Sequence, residues 1–284
     1  MTILEAITRN RQSSHMRTAP GLLVSALRPE TIGSLGVLVL FLVAWQWGPG
    51  LLGIPSYILP TASECWAEAL RMVGHDRLFF QTGITALEVA TGFGLGALLG
   101  MVIGYVLGVS TTAEVVLSPY ILALQIAPKV AFAPLFVMWF GFTVYPKILV
   151  AILIVFFPIM VNVLTAIRMV DRDLINLARS FNSTRFQVFW KIEFHAAMPA
   201  LFSGLRIGST LAVIGVVVGE LVGGNTGLGY LLTYGEGAAD TPMVFVAIIM
   251  LTIIGIIAYL AVILLERRVL HYVPKRAAGT ESMP

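Results

Sequence analysis

Charge is what this sequence lacks most. Only 12% of its 284 residues are Asp, Glu, Lys or Arg, roughly half the share of an ordinary soluble domain. With 58% hydrophobic residues, the chain has too little polar surface to cover a compact body in water. A soluble enzyme, a disordered chain and a free nucleic-acid binder are therefore excluded. Cysteine is nearly absent as well. Cys65 stands alone, so no internal disulfide forms, and no Cys/His cluster suits a metal. No GxxxxGK[ST] loop, HExxH pair or GxSxG elbow occurs, so neither P-loop ATP binding nor zinc or serine hydrolysis is expected. The class that remains is an all-α polytopic membrane protein. Its apolar runs are continuous rather than alternating, which argues against a β-barrel.

Six runs approach the ~20 apolar residues that cross a bilayer. They are Thr31–Trp47, Gly83–Gly108, Pro119–Phe140, Pro146–Ile167, Pro199–Leu221 and Met243–Leu265. The polar lead before the first run is long and five runs follow, so that run is read as a retained span rather than a cleaved signal. The division is a tail over 1–30, a transmembrane domain over 31–268 and a second tail over 269–284. Six spans place both termini on one side. That side collects Arg9, Arg11, Arg17, Arg28, Arg168, Arg172, Arg179, Arg185, Lys191, Arg206, Arg267, Arg268, Lys275 and Arg276. Only Arg71, Arg77, Lys129 and Lys147 lie elsewhere. The positive-inside rule puts both termini in the cytoplasm, with Trp45, Trp47, Trp139 and Tyr145 near the outer interface.

Two local patterns concern packing. Gly92, Gly96, Gly100, Gly104 and Gly108 recur every fourth residue in the second run. They predict a smooth ridge for close helix approach and a helix in the middle of the bundle. After Pro60, Thr61 and Glu64 suit a capping box. Trp66, Leu70 and Val73 share one face, and Glu64, Glu68 and Arg71 another. This reads either as an interfacial helix on the outer surface or as a plain amphipathic connector.

The one long polar stretch inside the chain is Asp171–Met198. Leu174, Leu177, Ala178 and Phe181 fall on one helical face, and Asp171 or Asp173 can cap its start. Asn182 suits a left-handed C-terminal position. Ser183 or Thr184 can cap a second short helix carrying Phe186, Phe189 and Trp190 beside Arg185 and Lys191. Such helices either fold back on the bundle or dock a partner.

The run NLARSFNSTRFQVFWKIEFHAAMP, Asn176 to Pro199, resembles the signature of binding-protein-dependent ABC importer permeases. That signature reads Glu-Ala-Ala, three residues, Gly, nine residues, then Ile-x-Leu-Pro. Asn176, Leu177 and Ala178 take its first three places, Asn182 the Gly place, and Ile192, Glu193, Phe194 and His195 the last four. Asn176 lacks the usual acid. Asn182 keeps access to positive φ. His195 lacks the proline, which Pro199 supplies four residues later. The resemblance runs from about Thr82 to Arg268. PKVAFAPLFVMWFGF and GLGYL look like the nitrate, sulfonate and taurine group, and Pro128-Lys129 with Ala133-Pro134-Leu135 like its branch for pyrimidine-type vitamin precursors.

The resemblance implies a type I importer permease in a bacterial inner membrane, without enzymatic activity or cofactor of its own. It implies a homodimer around one pathway for a small polar or anionic solute: a sulfonate, nitrate, taurine or a pyrimidine-type vitamin precursor. Cytoplasmic ATPase subunits would hold the ATP, and an extracytoplasmic binding protein would deliver the solute. Membrane lipid is the remaining partner, and no nucleic acid is expected. The coupling loop 171–198 would meet the ATPases through Asn176, Leu177, Ala178, Arg179, Phe181, Asn182, Ile192, Phe194 and His195.

Charges inside the spans supply the pathway candidates. Lys129 lies between Pro128 and Pro134, which suggest a broken helix. An ammonium at mid-depth costs at least ~2.5–3.5 kcal/mol unless paired or watered. Lys129 either faces the pathway and meets the solute, or is structural, paired with Glu88 or Glu220 or buried against the carbonyls that the broken helix frees. Glu220 precedes Gly223, Gly224, Gly227 and Gly229. That loop reads as an outer gate, a surface for the binding protein or a flexible connector. Two rivals to the permease are an ion-coupled secondary transporter, disfavoured by the lack of an internal repeat, and an intramembrane enzyme, disfavoured by the missing catalytic motifs.

Overall fold

The computed structural model describes residues 29–75 and 77–272. Arg9, Arg11, Arg17 and Arg28 of the first tail, and Lys275 and Arg276 of the second, lie outside the described residues. Among the described residues there are helices and turns and no strand. Among the described residues five helices are long and apolar enough to cross a membrane, or six if one bent pair counts as a single span.

The chain divides into two units, Met1–Ser63 and Glu64–Pro284. In the first, α1 runs Pro29–Leu52. It outlasts the expected end at Trp47 because the helix carries Pro49 internally and stops only at Gly53, where φ is +65°. Trp45 Nε1 donates to Pro60 O at 2.9 Å. Gln46 Oε1 accepts from Ser63 N at 3.0 Å while its Nε2 donates to Ser63 Oγ at 2.9 Å. These bonds tie the segment after α1 back onto it.

Helix α2, Ala62–Gly74, is the predicted short helix after Pro60. Its buried residues are Cys65 and Met72, whereas Trp66, Leu70 and Val73 are exposed. The larger apolar face thus points outward, as an interfacial helix requires. Arg71 pairs with Glu68 and reaches Asp240 at 3.7 Å.

The core of the second unit is three helices: α3 (Leu78–Val109), α6 (Val144–Arg168) and α9 (Phe194–Gly223). The glycine ridge of α3 lies along α6. A Cβ on Gly92 would stand 2.6 Å from Ala151 Cβ, on Gly100 2.8 Å from Phe156 O, and on Gly108 2.7 Å from Ile167 Cβ. The contacts advance together along both helices, so α3 and α6 are parallel. A second set, Gly204, Gly208, Gly215 and Gly219 of α9, meets α6 in reverse order, from Asn162 to Lys147, so α9 is antiparallel to α6. Gly92 and Gly215 both close on Ala151. In lipid, helices are held by such close packing rather than by water's exclusion. The ridge thus places α3 against α6, within the three-helix core. A ridge marks an interface, and α6 has two.

The expected third span is broken. Helix α4 (Thr111–Ile126) has Pro119 inside it, a 3₁₀ turn spans Lys129–Phe132, and α5 runs Ala133–Phe140. The two arms meet at 82°. Pro128 and Pro134, which cannot donate backbone hydrogen bonds, flank the turn as anticipated. No residue of α4 is buried within this chain.

The polar stretch forms α7 (Arg172–Ser180) and α8 (Arg185–Val188). The second short helix is not separate from the fifth span. A π turn over Phe189–Glu193 joins α8 to α9, and Pro199 sits inside α9 without interrupting it. Helix α10 (Leu228–Gly237) follows the Gly-rich turn, and α11 (Thr241–Val269) completes the bundle.

Candidate functional sites

The two ends of the α3–α6–α9 core differ in chemistry. One carries Arg168, the short helices α7 and α8, Arg206 and Arg267, with Arg206 Nε 3.2 Å from Glu266. The other carries a buried cluster around Glu220.

At the basic end, Asp171 Oδ1 accepts from Asp173 N at 2.8 Å and caps α7. Asn182 has φ +55°, the left-handed conformation its place in the motif required. Thr184 and Gln187 form a capping box at the start of α8. The turn between the helices is thus fixed by local hydrogen bonds before any partner arrives. Leu174, Leu177 and Phe181 are exposed, with Phe181 at 77%, and Ala178 is half-buried among them. Asn176, Arg179 and Asn182 are exposed on the same short segment. Ile192 and Phe194 are half-buried, and His195 Nδ1 lies 2.8 Å from Trp190 O. Phe194 packs edge-on to Trp190 at 4.8 Å between ring centres. The motif therefore splits. Its first half forms an exposed apolar patch on α7, and its second half is the aromatic root from which α9 rises.

Along the broken span, Lys129 Nζ donates to Gln125 O at 2.7 Å and lies 4.9 Å from the centre of the Phe157 ring. Neither Glu88 nor Glu220 is its partner; of the structural alternatives, pairing with a carboxylate is absent and contact with a carbonyl of the broken helix is present. The Gln125 carbonyl near the end of α4 takes up the ammonium instead, with the aromatic face adding a cation–π contact. A cavity of about 480 Å³ opens beside it, lined by Gln125, Lys129, Phe157, Asn162 and Leu211.

The lysine that answers Glu88 is Lys147. Its Nζ lies 2.9 Å from Glu88 Oε1 and 3.1 Å from Thr226 O, and both side chains are almost wholly buried. Glu220, with no exposure at all, accepts from Thr85 Oγ1 at 2.7 Å and from Gly229 N at 2.6 Å. Thr85 Oγ1 in turn accepts from Leu228 N at 2.8 Å, and Gln81 Oε1 from Gly227 N at 2.7 Å. The N-terminus of α10 is thereby capped by side chains from α3 and α9, where the helix dipole favours a carboxylate. Gly227, at φ +105°, sits against the Glu220 carboxyl, an approach that leaves no space for a Cβ. Four elements are pinned together at this one turn. Gln81, Thr85 and Lys147 were not singled out from sequence. Glu88 and Lys147, as opposite charges at the same end of neighbouring apolar runs, were the available signal.

Among the described residues no group of three or more His, Cys, Asp or Glu is placed to hold a metal.

Comparison with known proteins agrees with the motif. Residues 96–271 match the family described as binding-protein-dependent transport system inner membrane component. The chain is 38% identical to the riboflavin transport system permease protein of Chloroflexus aurantiacus, over 83% of this chain and 88% of that protein. It is 35% identical to a putative aliphatic sulfonates transport permease protein of Bacillus subtilis, over 80% and 83%. It is 31% identical to the formylaminopyrimidine transport permease protein of Halalkalibacterium halodurans, over 84% and 94%.

Proposed function

Because the chain belongs to the family of inner membrane components of binding-protein-dependent transport systems, we propose that two copies of it enclose one pathway, driven by cytoplasmic ATPases and fed by an extracytoplasmic binding protein. Members of this family are ABC transport permeases, not enzymes, and ATP hydrolysis belongs to a separate subunit. In this reading the basic end faces the cytoplasm. The exposed patch Leu174, Leu177, Ala178 and Phe181 on α7 seats in the ATPase, and nucleotide-driven motion enters the core through Arg168, α8 and the π turn. Helix α4, which has no fully buried residue, supplies surface for the second copy.

The observation that carries the docking assignment is α7 itself: a nine-residue helix, capped at its start and closed by a left-handed Asn182, with its apolar side turned away from its own bundle. Ala178→Asp places a carboxylate on that side. The variant is expected to insert at normal yield yet lose its ATPase on co-purification. Wild-type co-purification together with wild-type uptake overturns the assignment.

The cavity beside Lys129 is proposed as the point where the solute meets the pathway. It pairs one ammonium with an aromatic face and the amides of Gln125 and Asn162, a set that suits a small anion or a polar planar ring. Relatives named for sulfonates, riboflavin and formylaminopyrimidine transport solutes of those kinds. Lys129→Met removes one charge-assisted contact worth ~1.5–3 kcal/mol, so uptake should fall roughly tenfold or more. Folded yield should hold, because Lys129 neutralises no buried carboxylate. Uptake at the wild-type level removes Lys129 from the pathway. At the opposite end, Glu220 is proposed to hold the outer gate, the turn 224–228, rather than to touch solute.

A further inference from the structure

The basic end contains a cleft that leaves the apolar docking patch free and shares only Asn176 and Arg179 with the residues expected to meet the ATPases. About 850 Å³ in volume, it lies between the ends of α3 and α6 on one side and α7 and α8 on the other. Arg168, Arg172, Arg179 and Arg185 line it, against one carboxylate, Glu193. That carboxylate already accepts from Tyr105 Oη at 2.9 Å. Arg168 is also engaged: it pairs with Glu114 and donates to Leu107 O and Thr111 Oγ1, each at 3.3 Å. Its Nε is buried and has no hydrogen-bond partner. No ion pair of Arg172, Arg179 or Arg185 occurs among the described residues. Three guanidiniums without an ion pair thus share one concavity with a single carboxylate, Glu193, a surplus of positive charge that favours an anion from elsewhere.

The surroundings narrow the choice of anion. Ser110 caps α4 at the cleft wall, accepting from Ala113 N at 3.2 Å, and adds a helix N-terminus that favours negative charge. The floor is apolar, with Ile167 and Val170, and Val106 and Val109 stand half-exposed where α3 leaves the bundle. The cleft therefore sits where two membrane spans end, with basic groups at headgroup depth and aliphatic side chains just below. Basic pockets between span ends on the cytoplasmic side suit anionic lipid headgroups, and guanidinium binds phosphate through two parallel hydrogen bonds.

We propose that this cleft holds the phosphate headgroup of an anionic phospholipid of the cytoplasmic leaflet, gripped by Arg172, Arg179 and Arg185. The lipid joins the end of α6 to the coupling helices and so braces α7 against the core. The inference rests on the orientation given under the proposed function, but not on which solute is carried.

The test uses the assembled transporter, permease with its ATPases, exchanged into mixed phosphatidylcholine and phosphatidylglycerol and then stripped by detergent before native mass spectrometry. The wild type should retain phosphatidylglycerol in preference to phosphatidylcholine. Arg172→Gln with Arg185→Gln should weaken that retention roughly tenfold or more while the ATPases stay bound. Arg172→Lys with Arg185→Lys, which keeps the charge and loses the bidentate geometry, should fall between. Inorganic phosphate should not displace the lipid. No lipid preference in the wild type overturns the proposal whether or not the Gln variant folds. So does unchanged retention in a folded Gln variant. Displacement by inorganic phosphate overturns it in favour of a soluble anion. Loss of the ATPases with lipid retained overturns it in favour of an acidic surface on the ATPase. An ATPase that fails to bind even the wild type speaks instead against the docking reading.

Discussion

Lys147→Met is expected to cost the permease more of its stability than any other single loss of charge in the bundle. The ammonium holds Glu88 Oε1 and Thr226 O from a site that is 3% exposed. Removing one partner of such a pair leaves the other charge buried, at a cost of ~3–5 kcal/mol. Glu88 has no reserve, since its Oε2 already lacks a hydrogen-bond partner. The double variant Lys147→Met with Glu88→Leu should recover most of the loss, because an apolar pair of similar volume is close to neutral in such a site. Thermal unfolding of the purified permease, with folded yield alongside, reads both effects. A single variant that unfolds at the wild-type temperature would show that the pair contributes nothing. A double variant no better than the single would show that the loss came from packing rather than from stranded charge.

Gly227→Ala should abolish most uptake while leaving the three-helix core assembled. At φ +105° and ψ 174° the residue occupies backbone space that costs a side-chain-bearing residue ~1–3 kcal/mol. Its new Cβ would also run into the Glu220 carboxyl, pushing it off Gly229 N and Thr85 Oγ1. The strain falls on the turn and α10, not on the faces where α3, α6 and α9 meet. ATPase co-purification should persist, therefore, while transport falls. Gly83→Ala is the control, because nothing lies within 4 Å of the position its Cβ would take. If Gly227→Ala transports like the wild type, the turn is a connector and the gate reading is lost.

Several features were legible in the sequence because they depend on neighbours along the chain. Length and hydropathy of the runs located the spans, and two prolines marked the break around Lys129. The four-residue glycine period identified a packing face. The segment of α7 and α8 was readable residue by residue, since Asp171 and Thr184 act through bonds to backbone two or three residues away and Asn182 through its own positive φ. Pro199 misled, because the fifth span's helix already starts at Phe194 and runs through the proline.

What only the tertiary structure decided is which distant side chains meet. One glycine ridge says that a helix has a close neighbour, but not that α6 would have two such neighbours. Lys129 and Lys147 look alike in sequence, each a lone lysine beside a proline in an apolar run. The fold brings Lys147 to Glu88, 59 residues away, and leaves Lys129 with the carbonyl of Gln125, four residues away. Glu220 reaches Thr85 across 135 residues. In a low-dielectric interior the energy of a charge is set by what stands within a few ångströms of it. Sequence alone marked Lys129 and Glu220 as charges to be compensated; the packing of α3, α6 and α9 decided by what, and added Lys147 to their number.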